Sequence, residues 1–192
     1  MAKKFIILIF ISLILIGGGV FWWKNREIKG KPEDYVIKDT AEGKIVENKR
    51  AGLTIRVPEG WLEKKMELLE GSVILYTPDV KQEQLNEMAP LEKGCIIETA
   101  VVYKKMNFDE IKEEIKRIHV GLGMKTEEFD VITINNRQVL KNTYDSVLLG
   151  PGMNICFSNN NKLYSLGINW ASDDKEGCVQ EFDKFLETVS IQ

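Results

Sequence analysis

Histidine occurs once in this chain, at His119, and cysteine three times, at Cys95, Cys156 and Cys178. One histidine makes no zinc site without cysteines or carboxylates at matched spacing, and no CxxC pair is present. A Cys–His catalytic pair has no support, because no cysteine lies near His119 in sequence. The histidine reads as a surface or boundary residue of a helix. No GxSxG elbow and no Walker loop occurs. "GLGM" (121–124) closes a predicted helix rather than opening one, so its N–H groups do not face an anion. No catalytic, metal-binding or cofactor-binding residue is therefore named, and no cofactor is implied. Internal repeats, heptads and low-complexity stretches are missing too.

An excess of basic charge is also missing. The chain carries a net charge of −3. Lys3 and Lys4 are the only charges before position 24, so the remainder is more acidic still. Nucleic-acid binding rests on Lys and Arg neutralising phosphates, and this balance argues against it.

What the chain does have is one long apolar run, "FIILIFISLILIGGGVFWW", from Phe5 to Trp23. At 1.5 Å per helical residue it reaches about 28 Å, close to the roughly 30 Å hydrocarbon core of a bilayer. Trp22 and Trp23 suit the headgroup level, and Lys24 and Arg26 follow as basic anchors. These four are the predicted membrane-interface residues. A cleaved leader could use Phe5 to Ile16 as its core and the three following glycines as a poor site. The run resumes at Val20, however, so residues 1–23 are read as a signal-anchor transmembrane helix. A buried helix this apolar on all sides needs lipid or a very large core. A lipoprotein needs a cysteine just after the run, and a type IV pilin keeps its glycine before it; neither pattern is present.

The count of basic residues flanking the run favours a cytoplasmic C-terminus. The short basic segment at the very start is how export signals begin, and favours the opposite. The reading adopted is single-pass, with the domain extracytoplasmic. Residues 24–43 read as a charged juxtamembrane linker, broken by Gly30 and Pro32.

The rest, 44–192, fits one domain. "GLTIRV" (52–57) alternates, "SVILYTP" (72–78) ends at a proline, and "CIIETAVVYKK" (95–105) is apolar on both faces, as a strand covered on both sides requires. The period changes in 107–123, where Ile111, Ile115, Ile118 and Leu122 form a helical stripe and Asn107 with Glu110 forms a capping box. Strands follow at 128–134, 137–146, 153–158 and 162–170, joined by Asn135-Asn136, "GPG" and Asn159-Asn160-Asn161. A last helix starts near Asp173, with Glu176 three residues on and Val179, Phe182, Phe185, Leu186 and Val189 as its buried stripe. Asp173 and Asp174 suit a helix N-terminus better than a metal. The expected fold is α+β: one antiparallel sheet with an amphipathic helix on each face.

The cysteines leave two readings open. They are three small buried residues, or one pair is oxidised outside the cytosol. If the strand ending at Trp170 runs antiparallel beside 95–105, Cys95 and Cys178 come to the same end of the sheet. That is the pair expected.

"GLTIRVPEGW" (52–61), an apolar strand, a proline turn and a tryptophan, resembles the opening of PsbP-like domains. The order that follows is also similar: a helix after a strand apolar on both faces, a meander, and a closing helix like "VQEFDKFLETV" (179–189). The resemblance covers about residues 44–190 and implies an α/β/α sandwich. Members of that family are mostly accessory or binding proteins, among them extrinsic photosystem II subunits and bacterial envelope proteins. They share no catalytic set, so the resemblance transfers no functional residue, and nothing in the chain points to photosynthesis. The expectation is a membrane-tethered envelope protein whose non-catalytic domain binds or supports a protein partner. An envelope hydrolase with scattered residues and a structural stalk subunit are the competing readings.

Overall fold

Two Asn-Asn pairs set the registers of a meander. Asn135 and Asn136 have φ of 49° and 61°, and Asn160 and Asn161 have 48° and 60°. Paired positive φ values define the tight hairpin turn whose twist matches the flanking strands. The first pair joins β8 (Lys125–Ile134) to β9 (Arg137–Asp145), and the second joins β10 (Gly152–Asn159) to β11 (Lys162–Trp170). The computed structural model describes residues 28–66, 71–81, 85, 89–146 and 150–192.

These four strands continue into β7 (Cys95–Tyr103), β6 (Ser72–Tyr76) and β5 (Leu62–Met66), giving the order β5-β6-β7-β11-β10-β9-β8. Every described pairing is antiparallel. A short strand, β1 (Ile28–Lys29), also pairs with β7, opposite Tyr103 and Val102. Gly30 N–H extends that pairing by donating to the Val101 carbonyl at 3.1 Å.

A second sheet corrects the single-sheet expectation. β2 (Tyr35–Thr40), β3 (Gly43–Asn48), β4 (Leu53–Arg56) and β12 (Ser190–Ile191) form a four-stranded sheet in the order β12-β4-β3-β2. Of the segment read as linker, residues 28–29, 35–40 and 43 are therefore strand. Tyr35 is fully buried, and its hydroxyl donates to the Thr99 carbonyl of β7. The second sheet went unread because its strands come from both ends of the chain. Pairing of that kind is set by tertiary packing, not by local pattern.

Helix α1 (Phe108–Gly121) and helix α2 (Lys175–Thr188) lie on opposite faces of the large sheet. Alternation along the strands makes this possible. Val139, Ile155, Phe157 and Leu166 point toward α2 and the second sheet, where Phe182, Phe185 and Leu186 pack. Leu140 and Cys156 point the other way, toward Ile111 and Ile115 of α1. The Asn107 box closes α1: its side chain accepts from Glu110 N–H, and the Glu110 carboxylate accepts from Asn107 N–H.

Two expectations about α1 are overturned. Ile118 is 45% exposed, whereas His119 is only 4% exposed. The buried stripe runs Ile111–Ile115–His119, at spacings of four. The reason is the partners waiting beneath: His119 Nδ1 lies 2.7 Å from Thr126 Oγ1 of β8, and the ring meets Tyr144 of β9 edge-on at 5.2 Å.

Candidate functional site

The α1 face of the large sheet carries a row of polar residues beside the apolar cluster of Ile111, Ile115, Leu140 and Cys156. Register places Asn142 of β9 opposite Asn154 of β10, Asn154 opposite Gly167 of β11, and Gly167 opposite Glu98 of β7. Directly opposed residues share a face, with Cβ atoms about 4.5–5.5 Å apart. A Cβ on Gly167 would sit 2.4 Å from Asn154 Oδ1, so the carboxamide leans across the glycine toward Glu98. Burial pushes the Glu98 carboxyl above the usual range, and the Ser72 hydroxyl offsets part of that. Asn142 is fully buried, and neither of its amide atoms has a hydrogen-bond partner. In the next row Tyr144 donates to Asn169 Oδ1 at 3.1 Å and lies over Gly152. Burial raises the pKa of Tyr144 and lowers that of His119.

This row suits hydrogen bonding, since a carboxamide both donates and accepts, and a carboxyl with a raised pKa keeps its donating proton to a higher pH than usual. Covalent chemistry is a poor fit. Ser72 is fully buried, and burial pushes the Cys156 thiol up to about 11. The thiolate is the reactive form, so that cysteine is inert at neutral pH. Among the described residues, no group of three or more His, Cys, Asp or Glu is placed to hold a metal ion.

At one end of the sheet Cys95 and Cys178 form a disulfide, with Cα atoms 5.7 Å apart. The register Trp170↔Cys95 brings β11 to β7 there, and Ala171 N–H donates to the Gly94 carbonyl at 3.1 Å. Asp174 holds the same corner. It stands at the N-cap of α2, but its Oδ2 accepts from Gly94 N–H at 2.7 Å instead of capping its own helix. Cys156 is free and buried.

On the opposite face lies a cleft of about 250 Å³, between the β8–β9 turn, the end of α2 and strand β12. Ile134, Val139, Phe157, Leu186 and Val189 give it apolar walls. Asn135 Nδ2 donates to the Leu186 carbonyl at 3.2 Å and ties the hairpin tip to the helix end. Arg137 lies at the same cleft, its guanidinium carbon 4.9 Å from the Phe157 ring centre. Neither Arg137 nor the polar row was read from the sequence as a site. Glu98 did carry a signal: it is a charge at an inward position of a strand apolar on both faces.

The predicted interface residues Trp22, Trp23, Lys24 and Arg26, and the whole run 5–23, lie outside the described residues. Among the described residues no helix is long and apolar enough to cross a membrane.

No protein-family model and no curated protein matches the chain. Solved structures do. The solution structure of cyanobacterial PsbP (CyanoP) from Synechocystis sp. PCC 6803 matches with a TM-score of 0.53 at 8% identity, over 82% of this chain and 92% of that one. The fold is PsbP-like. A crystal structure from Bacteroides thetaiotaomicron VPI-5482 aligns at a TM-score of 0.46 and 14% identity, over 73% of this chain and 45% of that one.

Proposed function

We propose that this PsbP-like domain is a non-catalytic binding module, held to a membrane by residues 1–23 and working outside the cytoplasm. The observation that carries the binding half is the cleft at Arg137, where a largely apolar slot meets a guanidinium with no acid partner among the described residues. The Cys95–Cys178 bond supports the compartment, because disulfides persist in oxidising surroundings and are rare in the cytosol. A protein is the expected partner, with the lipid bilayer as the second.

The test has two arms. Tagged full-length protein, recovered from detergent-solubilised membranes, is expected to bring down one recurring partner in stoichiometric amount. Protease added to intact cells or spheroplasts is expected to remove the domain. Protection in intact cells with loss after lysis rejects the extracytoplasmic placement. Failure to recover any recurring partner rejects the binding role.

The hydrolase reading draws on one observation, the raised carboxyl of Glu98 near Ser72. Perturbed acids mark catalytic sites often enough to justify a direct check. Glu98→Gln is expected to leave partner capture unchanged. The full burial of Ser72 is the reason the binding reading is preferred.

A further inference from the structure

We propose that the Arg137 cleft receives the C-terminal end of a partner polypeptide: one apolar side chain in the slot, and the chain-terminal carboxylate on the guanidinium. This rests on the partner-binding reading and names the partner's chemistry.

Arg137 stands apart from the other described arginines. Arg50 pairs with Asp34, Arg56 with Glu42 and Arg117 with Glu114. Among the described residues Arg137 has no acid partner; its guanidinium carbon lies over the Phe157 ring, and its charge is felt by the nearby Tyr164 hydroxyl. A cation–ring contact uses none of the N–H donors of a guanidinium, and its planar fork matches a carboxylate with two parallel hydrogen bonds.

Size decides what accompanies the carboxylate. Sites for drug-sized ligands and cofactors occupy roughly 300–1,000 Å³. The cleft, at about 250 Å³, falls below that range and suits a single large side chain. Most of its lining residues are apolar, with Asn135, Arg137 and Ser190 the polar ones, so a side chain seated away from those three is apolar too. Arg137 and Val139 are two residues apart on β9 and face the same way, which puts the cation against the apolar wall itself. Carboxylate and side chain must therefore lie within one residue of each other. At a chain end they share a Cα.

The surroundings accept an extended peptide. β12 is an edge strand of its sheet, with β4 on one side and no strand on the other among the described residues. β8 is likewise the edge of the large sheet. Main-chain pairing along such an edge, with alternate side chains in pockets, is a recurrent mode of peptide recognition.

The experiment uses full-length, oxidised protein in detergent micelles with methyl-labelled Val and Leu. The probe is an N-acetylated tetrapeptide ending in leucine, as free acid and as C-terminal amide. A third peptide carries aspartate beside the leucine and an amide at its end. The free acid is expected to shift the methyls of Val139, Leu186 and Val189. Amidation should weaken it by about ten-fold or more, the scale of a lost charge-assisted hydrogen bond. Arg137→Gln should weaken the acid to the level of the amide, and Arg137→Lys should recover part of the loss. Equal binding of acid and amide overturns the proposal, as does tighter binding of the aspartate peptide or no response at these methyls. Capture of the membrane partner is read in the same variants. If Arg137→Gln folds normally and still captures it, the cleft assignment falls while the binding module stands. If the wild type captures nothing, the module itself falls.

Discussion

Glu98 sits directly opposite Gly167, the one position in its row without a side chain, and the Asn154 carboxamide takes the space. Burial raises the Glu98 pKa, so the folded protein holds that proton more tightly than the unfolded chain does. For a raised carboxyl, stability falls as pH climbs from the ordinary carboxylate range through the raised value, and the loss is complete above it. Glu98→Gln is expected to remove that decline and to raise the urea midpoint at neutral pH. His119 acts with the opposite sign, losing stability as pH falls through the ordinary histidine range, because burial lowers its pKa. Both proteins keep His119, so the difference between their midpoint curves isolates Glu98. A constant difference from about pH 4 to about pH 8 would overturn the assignment.

Thiol counting checks the cysteines. Oxidised protein in denaturant is expected to show one thiol, from Cys156, and reduced protein three. The bond joins residues 83 apart. Closing a loop of that length stabilises by a few kcal/mol, on the order of 2–5. Cys178→Ser should lower the midpoint accordingly, and no change on reduction would count against the bond.

Helix α1 offers an internal control. Ile115 is buried and Ile118 is exposed, three residues away. Ile115→Ala is expected to cost about 2–5 kcal/mol, and Ile118→Ala about 0.5 kcal/mol or less. Equal losses in denaturation experiments would mean that the helix is rotated from the face described.

Gly71 has φ of 82°, and a Cβ there would fall 2.0 Å from the carbonyl carbon of Gly30. Gly71→Ala is therefore expected to push β1 off β7. Hydrogen exchange is the readout: the Gly30 amide, bonded to the Val101 carbonyl, should lose protection while amides at the β10–β11 pairing keep theirs. The strained backbone alone should cost more than about 1 kcal/mol. Unchanged protection at Gly30 would show that the strand tolerates the substitution.

The strands and helices most legible in the sequence were those with strong local signals. Asn135-Asn136 and Asn160-Asn161 announce hairpins by residue type, and Asn107 with Glu110 announces a helix start. The closing helix was less exact: it begins at Lys175, because Asp174 turns to Gly94 instead of forming the box expected at Asp173 and Glu176. β2 was hidden by charge, since a strand with one face in water reads like a tether. β12 was hidden by length, being two residues whose partner lies more than 130 positions earlier. The polar row escaped because Glu98, Asn142 and Asn154 sit on three strands, each a lone polar residue until register aligns them. Arg137 escaped for a different reason. A cation without a counter-charge becomes visible only when every neighbour is known.

The pairing of Ile28 and Lys29 with β7 also sets a length. Five peptide steps separate Trp23 from Ile28. Fully extended, they span about 18 Å. If the apolar run ends at the headgroups, as proposed, that reach is the farthest β1 can stand from the lipid surface. On that proposed placement the tether limits how far from the bilayer a partner can meet the domain, and a flexible spacer inserted between Arg26 and Ile28 would extend that distance.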